Sequence, residues 1–147
     1  MMKSKLLQDA AQKTWVLVFE TGEDASAGLL AFARQEKLSA SQFTAIGAFR
    51  SAQLGYFVLE KRDYECIAID EQVEVLSLIG DVTHGDSGPK VHAHVVLGKR
   101  DGSPWGGHLL KGIVRPTLEV IITESPSHLQ RRHDPATGLA LIDPGLG

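Results

Sequence analysis

The stretch VHAHVV at residues 91–96 places His92 and His94 one residue apart inside an apolar run, and GGH at residues 106–108 adds His108. Side chains alternate faces along a strand, so His92 and His94 project from one side with Cα atoms roughly 7 Å apart, while Val91, Ala93 and Val95 face the opposite layer. Two imidazoles so placed can converge on one ion. His108 follows Gly106 and Gly107, whose wide φ range lets the chain fold back toward the pair. Three neutral imidazoles suit zinc at about 2.0–2.1 Å, and a fourth position left to water marks a reactive rather than a structural centre. The spacing alone also fits a solvated histidine pair on a half-exposed strand with His108 nearby by chance. His84, His128 and His133 lie in loop or tail stretches without partners and read as surface residues.

Other reactive residue types are sparse. Trp105, in SPWGG, could wall a pocket beside the histidines, but packing over the sheet edge is the simpler expectation. Arg115 and Glu119 stand four apart and therefore on one strand face. They could supply an arginine and an acid to a metal centre, and an ordinary cross-strand ion pair is the competing reading. Arg100 and Asp101 in KRDG read as an exposed turn. The single cysteine, Cys66 in YECIAID, is expected to pack in the core or sheet. GDSGPK lacks the spacing of a phosphate-binding loop and the hydroxyl after its lysine, so no nucleoside triphosphate is implied.

The elements that must position these groups follow from periodicity. TWVLVFE at residues 14–20 reads as a buried strand. In DASAGLLAFARQEKL an Asp24 cap precedes Leu29, Leu30, Phe32 and Ala33, whose spacing makes an apolar helical stripe ending near Leu38. From Phe43 onward the period changes to two, through FTAIGAF, AQLGYFVLE, YECIAID, QVEVLSLIGDV, KVHAHVVLG and HLLKGIVRPTLEVIIT, which predicts mostly sheet. GDVTHGDSGPK and KRDGSPWGG are expected to be loops. Residues 1–13 read as an N-terminal extension, 14–125 as the folded domain, and 126–147, with three prolines, as an irregular C-terminal tail on the body or a neighbouring subunit.

With 147 residues and 43% hydrophobic content the chain suits one domain with its own core. A formal charge of −3 recruits no phosphate polyanion, so nucleic-acid binding would need a local patch, and the nearest basic cluster is Arg131, Arg132 and His133. One cysteine forbids an internal disulfide. With no apolar stretch approaching the ~20 residues of a membrane span, this favours a soluble cytoplasmic protein.

QVEVLSLIGDV from residue 72, VHAHVVLGKRDGSPWGGHLLKGIVRPTLEVIITE from residue 91, and IGAFRSAQLGYF at residues 46–57 together resemble the plants-and-prokaryotes conserved (PPC) domain, prokaryotic type. Ala48 stands where that family's upstream segment carries glycine. The resemblance covers about residues 14–125. It implies an α+β fold, a strongly bent antiparallel sheet with one or two flanking helices, assembled as a homotrimer. It also implies that His92, His94 and His108 are zinc ligands.

The family's name attaches DNA binding, through an AT-hook in plant members, but no Arg-Gly-Arg-Pro segment occurs in this chain. A DNA contact is therefore expected to be weak and salt-dependent, and the first functional expectation is a DNA-binding or regulatory module. The alternative is a zinc-dependent lyase or hydrolase acting on a small oxo acid, since acetolactate decarboxylase carries a similar His-x-His with a later histidine. A cupin barrel is a third reading. It is disfavoured because Gly98 and Lys99 stand where that fold needs a glutamate, and because the helix at 24–38 fits an α+β fold better.

Overall fold

Alternation in KTWVLVFE sends Trp15, Leu17 and Phe19 into the core. Lys13–Glu20 is thereby strand β2, antiparallel to β1, Lys3–Gln8. The computed structural model describes residues 1–146, and of residues 4–8 the backbone alone. Helix α1, Ala25–Gln35, starts where Asp24 accepts hydrogen bonds from the Ser26 and Ala27 amides, and it buries Ala25, Leu29, Phe32 and Ala33. Leu30, expected in the same stripe, is only partly buried.

The remaining body is sheet: β3 (Ala40–Val58), β4 (Asp63–Ile69), β5 (Val73–Gly85), β6 (Gly88–Gly98) and β7 (Pro104–Glu124). β7 is long enough to serve two partners on one edge. Its second half pairs with β2, and residues 104–108 pair with β6. Along the other edge it pairs with β3. β5 joins β3 to β6, so β3, β5, β6 and β7 close on themselves around Phe49, Leu54, Leu78, Val95 and Leu97, with α1 laid against β6 and β7. Where β3 bends, Gly47 lies so near the Thr117 carbonyl that a Cβ would collide with it. This is the α+β architecture and bent antiparallel sheet that the family resemblance implies, with one helix among the described residues.

Several local expectations are corrected. GDVTHGDSGPK is not a loop: β5 and β6 run to Gly85 opposite Gly88, so only Asp86 and Ser87 make the turn. The left-handed φ of 111° at Gly88 is what allows so tight a reversal. In KRDGSPWGG, strand resumes at Pro104, because residues 104–108 find a partner in β6. Cys66 is exposed rather than packed, because β4 pairs with β3 alone and turns its side chain outward. Residues 126–147 include regular structure. β8 (Gln130–His133) and β9 (Ala140–Asp143) form a hairpin closed by Asp134 and Gly138, and β8 meets β5 in parallel at His84. No helix among the described residues is long and apolar enough to cross a membrane.

Candidate metal centre

The pleat of β6 buries Ala93, Val95 and Leu97 and leaves His92 and His94 on the other face. His108 reaches them because the strands close: it pairs with His94 on one side and with Gly55 of β3 on the other. The His92 and His94 ring centroids lie 5.0 Å apart, those of His92 and His108 5.2 Å, and those of His94 and His108 5.6 Å. One nitrogen from each ring lies within 4.8 Å of the other two. A tetrahedral zinc needs such nitrogens at about 3.4 Å from one another, a spacing this cluster approaches.

The donor set fits a divalent ion on two further counts. The Nδ1 atom of His108 is buried without a hydrogen-bond partner, which is costly for a group that has nothing to bind. Burial, then the neighbouring His92 and His94 and the Lys90 charge, push the His108 pKa down to about 4. Burial and His92 also lower that of His94, against the opposing pull of Asp81. Both rings are therefore neutral at pH 7, the form that ligates metal. His92 and His94 line a groove of about 690 Å³ together with Phe43, Thr44, Ile79, Asp81 and Ile121.

Two residues near the centre escaped sequence reasoning. Tyr64 of β4 lays its ring 4.7 Å from that of His108, and burial raises its hydroxyl pKa. Asp81 sits directly across the β5–β6 pair from His92, with its Oδ2 3.6 Å from the ring Nδ1. Burial alone would raise the Asp81 pKa, but His92 and Arg131 outweigh it and hold the group below its ordinary value. Asp81 was findable as the one carboxylate in the strand IGDV, had the hairpin turn been placed at Asp86.

The other candidates stay apart from the histidines. Arg115 and Glu119 are exposed, seven and eleven residues beyond His108 on β7, and neither lines the groove. Trp105 pairs with Leu97 across β6–β7 and carries the Lys99 ammonium 4.6 Å from its ring centroid, and it does not line the groove. His84, His128 and His133 are exposed, although His128 Nδ1 shares a hydrogen bond with the Ser39 hydroxyl. The basic cluster of the tail is not a free patch. Arg131 turns inward onto Asp81, and Arg132 pairs with Asp143.

Fold and site together define a small, mostly antiparallel α+β protein built around a three-histidine cluster suited to a metal. The chain belongs to the Plants and Prokaryotes Conserved (PCC) domain family, whose model matches residues 7–126. It is 34% identical to the metal-containing protein of Archaeoglobus fulgidus, covering 97% of each chain with a TM-score of 0.82. It is 31% identical to a plant- and prokaryote-conserved protein of Pyrococcus horikoshii, over 96% of this chain and 94% of that one, with a TM-score of 0.83. A candidate DNA-binding protein of Bacteroides thetaiotaomicron, 21% identical, shares the fold over 95% of this chain and 96% of its own with a TM-score of 0.87. Among curated relatives, the bifunctional protein GlmU of a Synechococcus species is 32% identical over 120 residues, 80% of this chain. The chain spans only 18% of that protein's length.

Proposed function

We propose that this protein is a zinc-binding module that works as a homotrimer in the cytoplasm, with His92, His94 and His108 as its metal ligands. The observation that carries this reading is the convergence of three imidazoles, His94 and His108 held neutral, with His92 and His94 lining an open groove. The metal content of the Archaeoglobus relative supports it. The trimer rests on the family resemblance and on an unusually apolar exposed sheet face. Ile79 of β5 and Ile121 of β7 both flank Thr44 of β3, and Ile46 follows on the same strand; all three isoleucines are exposed. Placement in the cytoplasm suits an exposed thiol at Cys66, which an oxidising compartment would pair between molecules.

As a module the protein is regulatory, and any DNA contact is weak, sequence-indifferent and salt-dependent. The net charge repels phosphate, and the inward turn of Arg131 removes one of the two arginines from the tail's basic cluster. A second reading is a zinc-dependent lyase or hydrolase on a small oxo acid. The groove favours it, since a ligand lying there would reach His92 and His94, and an ion held by these residues could supply Lewis-acid polarisation of a carbonyl.

Metal analysis of protein prepared without a nickel column tests the common core. About one zinc per chain is expected, and none after His94→Ala. Zinc retained by that variant would refute the ligand set. Acetolactate as a probe separates the two readings. Turnover by the zinc-loaded protein alone would establish the enzyme, whereas its absence together with salt-sensitive DNA retention would favour the module.

A further inference from the structure

The carboxylate of Asp81 lies between partners drawn from distant parts of the chain. On one side Arg131, from the C-terminal hairpin, donates from Nη2 to Oδ1 at 2.7 Å. The same guanidinium donates from Nε to the Thr83 hydroxyl at 2.6 Å and from Nη1 to the Ala140 carbonyl at 2.8 Å. Its side chain is 7% exposed, so this is a desolvated cation with each of its nitrogens engaged, in the planar fork geometry that only arginine offers. On the other side Asp81 Oδ2 faces His92 Nδ1 at 3.6 Å, longer than a hydrogen bond but aimed at it. Backbone register fixes this approach, because Asp81 and His92 are cross-strand partners.

A neutral imidazole carries one proton on one of two nitrogens, and the acceptor beside one nitrogen decides which lone pair is free for a metal. We propose that Asp81 and Arg131 are positioning residues for the metal centre: Arg131 locks the Asp81 carboxylate, and the carboxylate accepts the Nδ1–H of His92, leaving Nε2 to the ion. This rests on the metal reading of His92, His94 and His108. An ion held at Nε2 would make Nδ1–H a stronger donor and draw the 3.6 Å contact toward hydrogen-bond length. Linkage works in both directions, so an ion that tightens His92 onto Asp81 also fastens β8 and β9 to the body. The C-terminal hairpin is then a part of the metal centre rather than an appendage.

The charge-neutral variant Asp81→Asn gives an outcome that simple tail anchoring does not. Arg131 demands an acceptor, so the side-chain amide must turn its oxygen toward Arg131 and its NH2 toward His92. Two donors then face each other, and His92 is driven to the Nε2–H tautomer, which blocks the ligating nitrogen. Nitrogen-15 NMR of the imidazoles in the full-length metal-free chain should show His92 as Nδ1–H in the wild type and shifted to Nε2–H in Asp81→Asn. Zinc titration should show an affinity about 10- to 100-fold weaker in Asp81→Asn, with a loss of the same sign in Arg131→Met and none in Arg132→Met. Amide exchange across residues 130–143 should slow when zinc is added to the wild type but not to Asp81→Asn. Should Arg131→Met fail to fold, Thr83→Val, which removes one anchor of the guanidinium, takes its place with a smaller loss.

Unchanged His92 tautomer and zinc affinity in a folded Asp81→Asn variant would overturn the proposal. If the wild type binds no zinc at all, the metal reading fails separately, and the tautomer shift alone then decides whether Asp81 orients His92.

Discussion

Burial pushes the His108 pKa far below its ordinary value, and this makes the metal-free protein acid-sensitive in a defined window. Its pKa falls from an unfolded value near 6.5 to about 4 in the fold. Above the upper value the ring is neutral in both states, and below the lower one it is protonated in both. Between them the unfolded chain binds more protons, so stability is complete above pH 6.5 and is lost as pH falls toward 4. His94, also lowered, acts in the same direction. The melting temperature of the metal-free protein should therefore decline across this window. Because carboxylates titrate at its lower end, the readout is the comparison with His108→Asn, whose decline should be shallower. Parallel curves for the two proteins would show that His108 is not desolvated as described. Zinc at saturating concentration should raise the melting temperature at pH 7 and lose that effect as protons compete for the three rings.

At the scale of elements, the helix cap offers a clean test. Asp24 accepts from the Ser26 and Ala27 amides at the start of α1, and Asp24→Ala should cost about 1 kcal/mol in denaturant unfolding without altering zinc content. That cap, the stripe of Leu29, Phe32 and Ala33, and strand β2 were all legible in the sequence, because each depends on spacing within a few residues. His92 and His94 were legible as a same-face pair for the same reason. What placed His108 beside them was not. It required β7 to pair with β6 and with β3 at once, and sheet closure of that kind leaves no local signal. The tail was misread on similar grounds. QRRH and ALID are four residues each, too short to show a period, and they become strands by pairing with each other while Leu129 and His84 tie the segment to the sheet. Arg131 likewise read as a free basic residue, since nothing near it in sequence foretells Asp81, fifty residues away.

Across the whole molecule, the metal centre and the apolar face are one surface. In register, His94 stands beside Ile79, Ile79 beside Thr44, and Thr44 beside Ile121, so a single row crosses β6, β5, β3 and β7 from the histidines to the exposed isoleucines. Any partner that covers Ile79 and Ile121 must come close to the three histidines. With Ile46 at 62% exposed, Ile79 at 54% and Ile121 at 44%, water stands against a patch whose burial would contribute roughly 25 cal/mol per Å². A charge placed in it would forfeit that gain and face an apolar neighbour unpaired. Sedimentation of the wild type at micromolar concentration should give a trimer, and Ile121→Arg, three strands from His94 along this row, should give a folded monomer. A monomeric wild type would remove the trimer from this account. If the trimer forms and Ile121→Arg dissociates it, zinc affinity measured in that monomer separates two architectures. Retained affinity means that the three histidines of one chain suffice. Affinity lost on dissociation means that the neighbouring copy completes or shields the centre, and that occupancy of the metal and assembly rise and fall together.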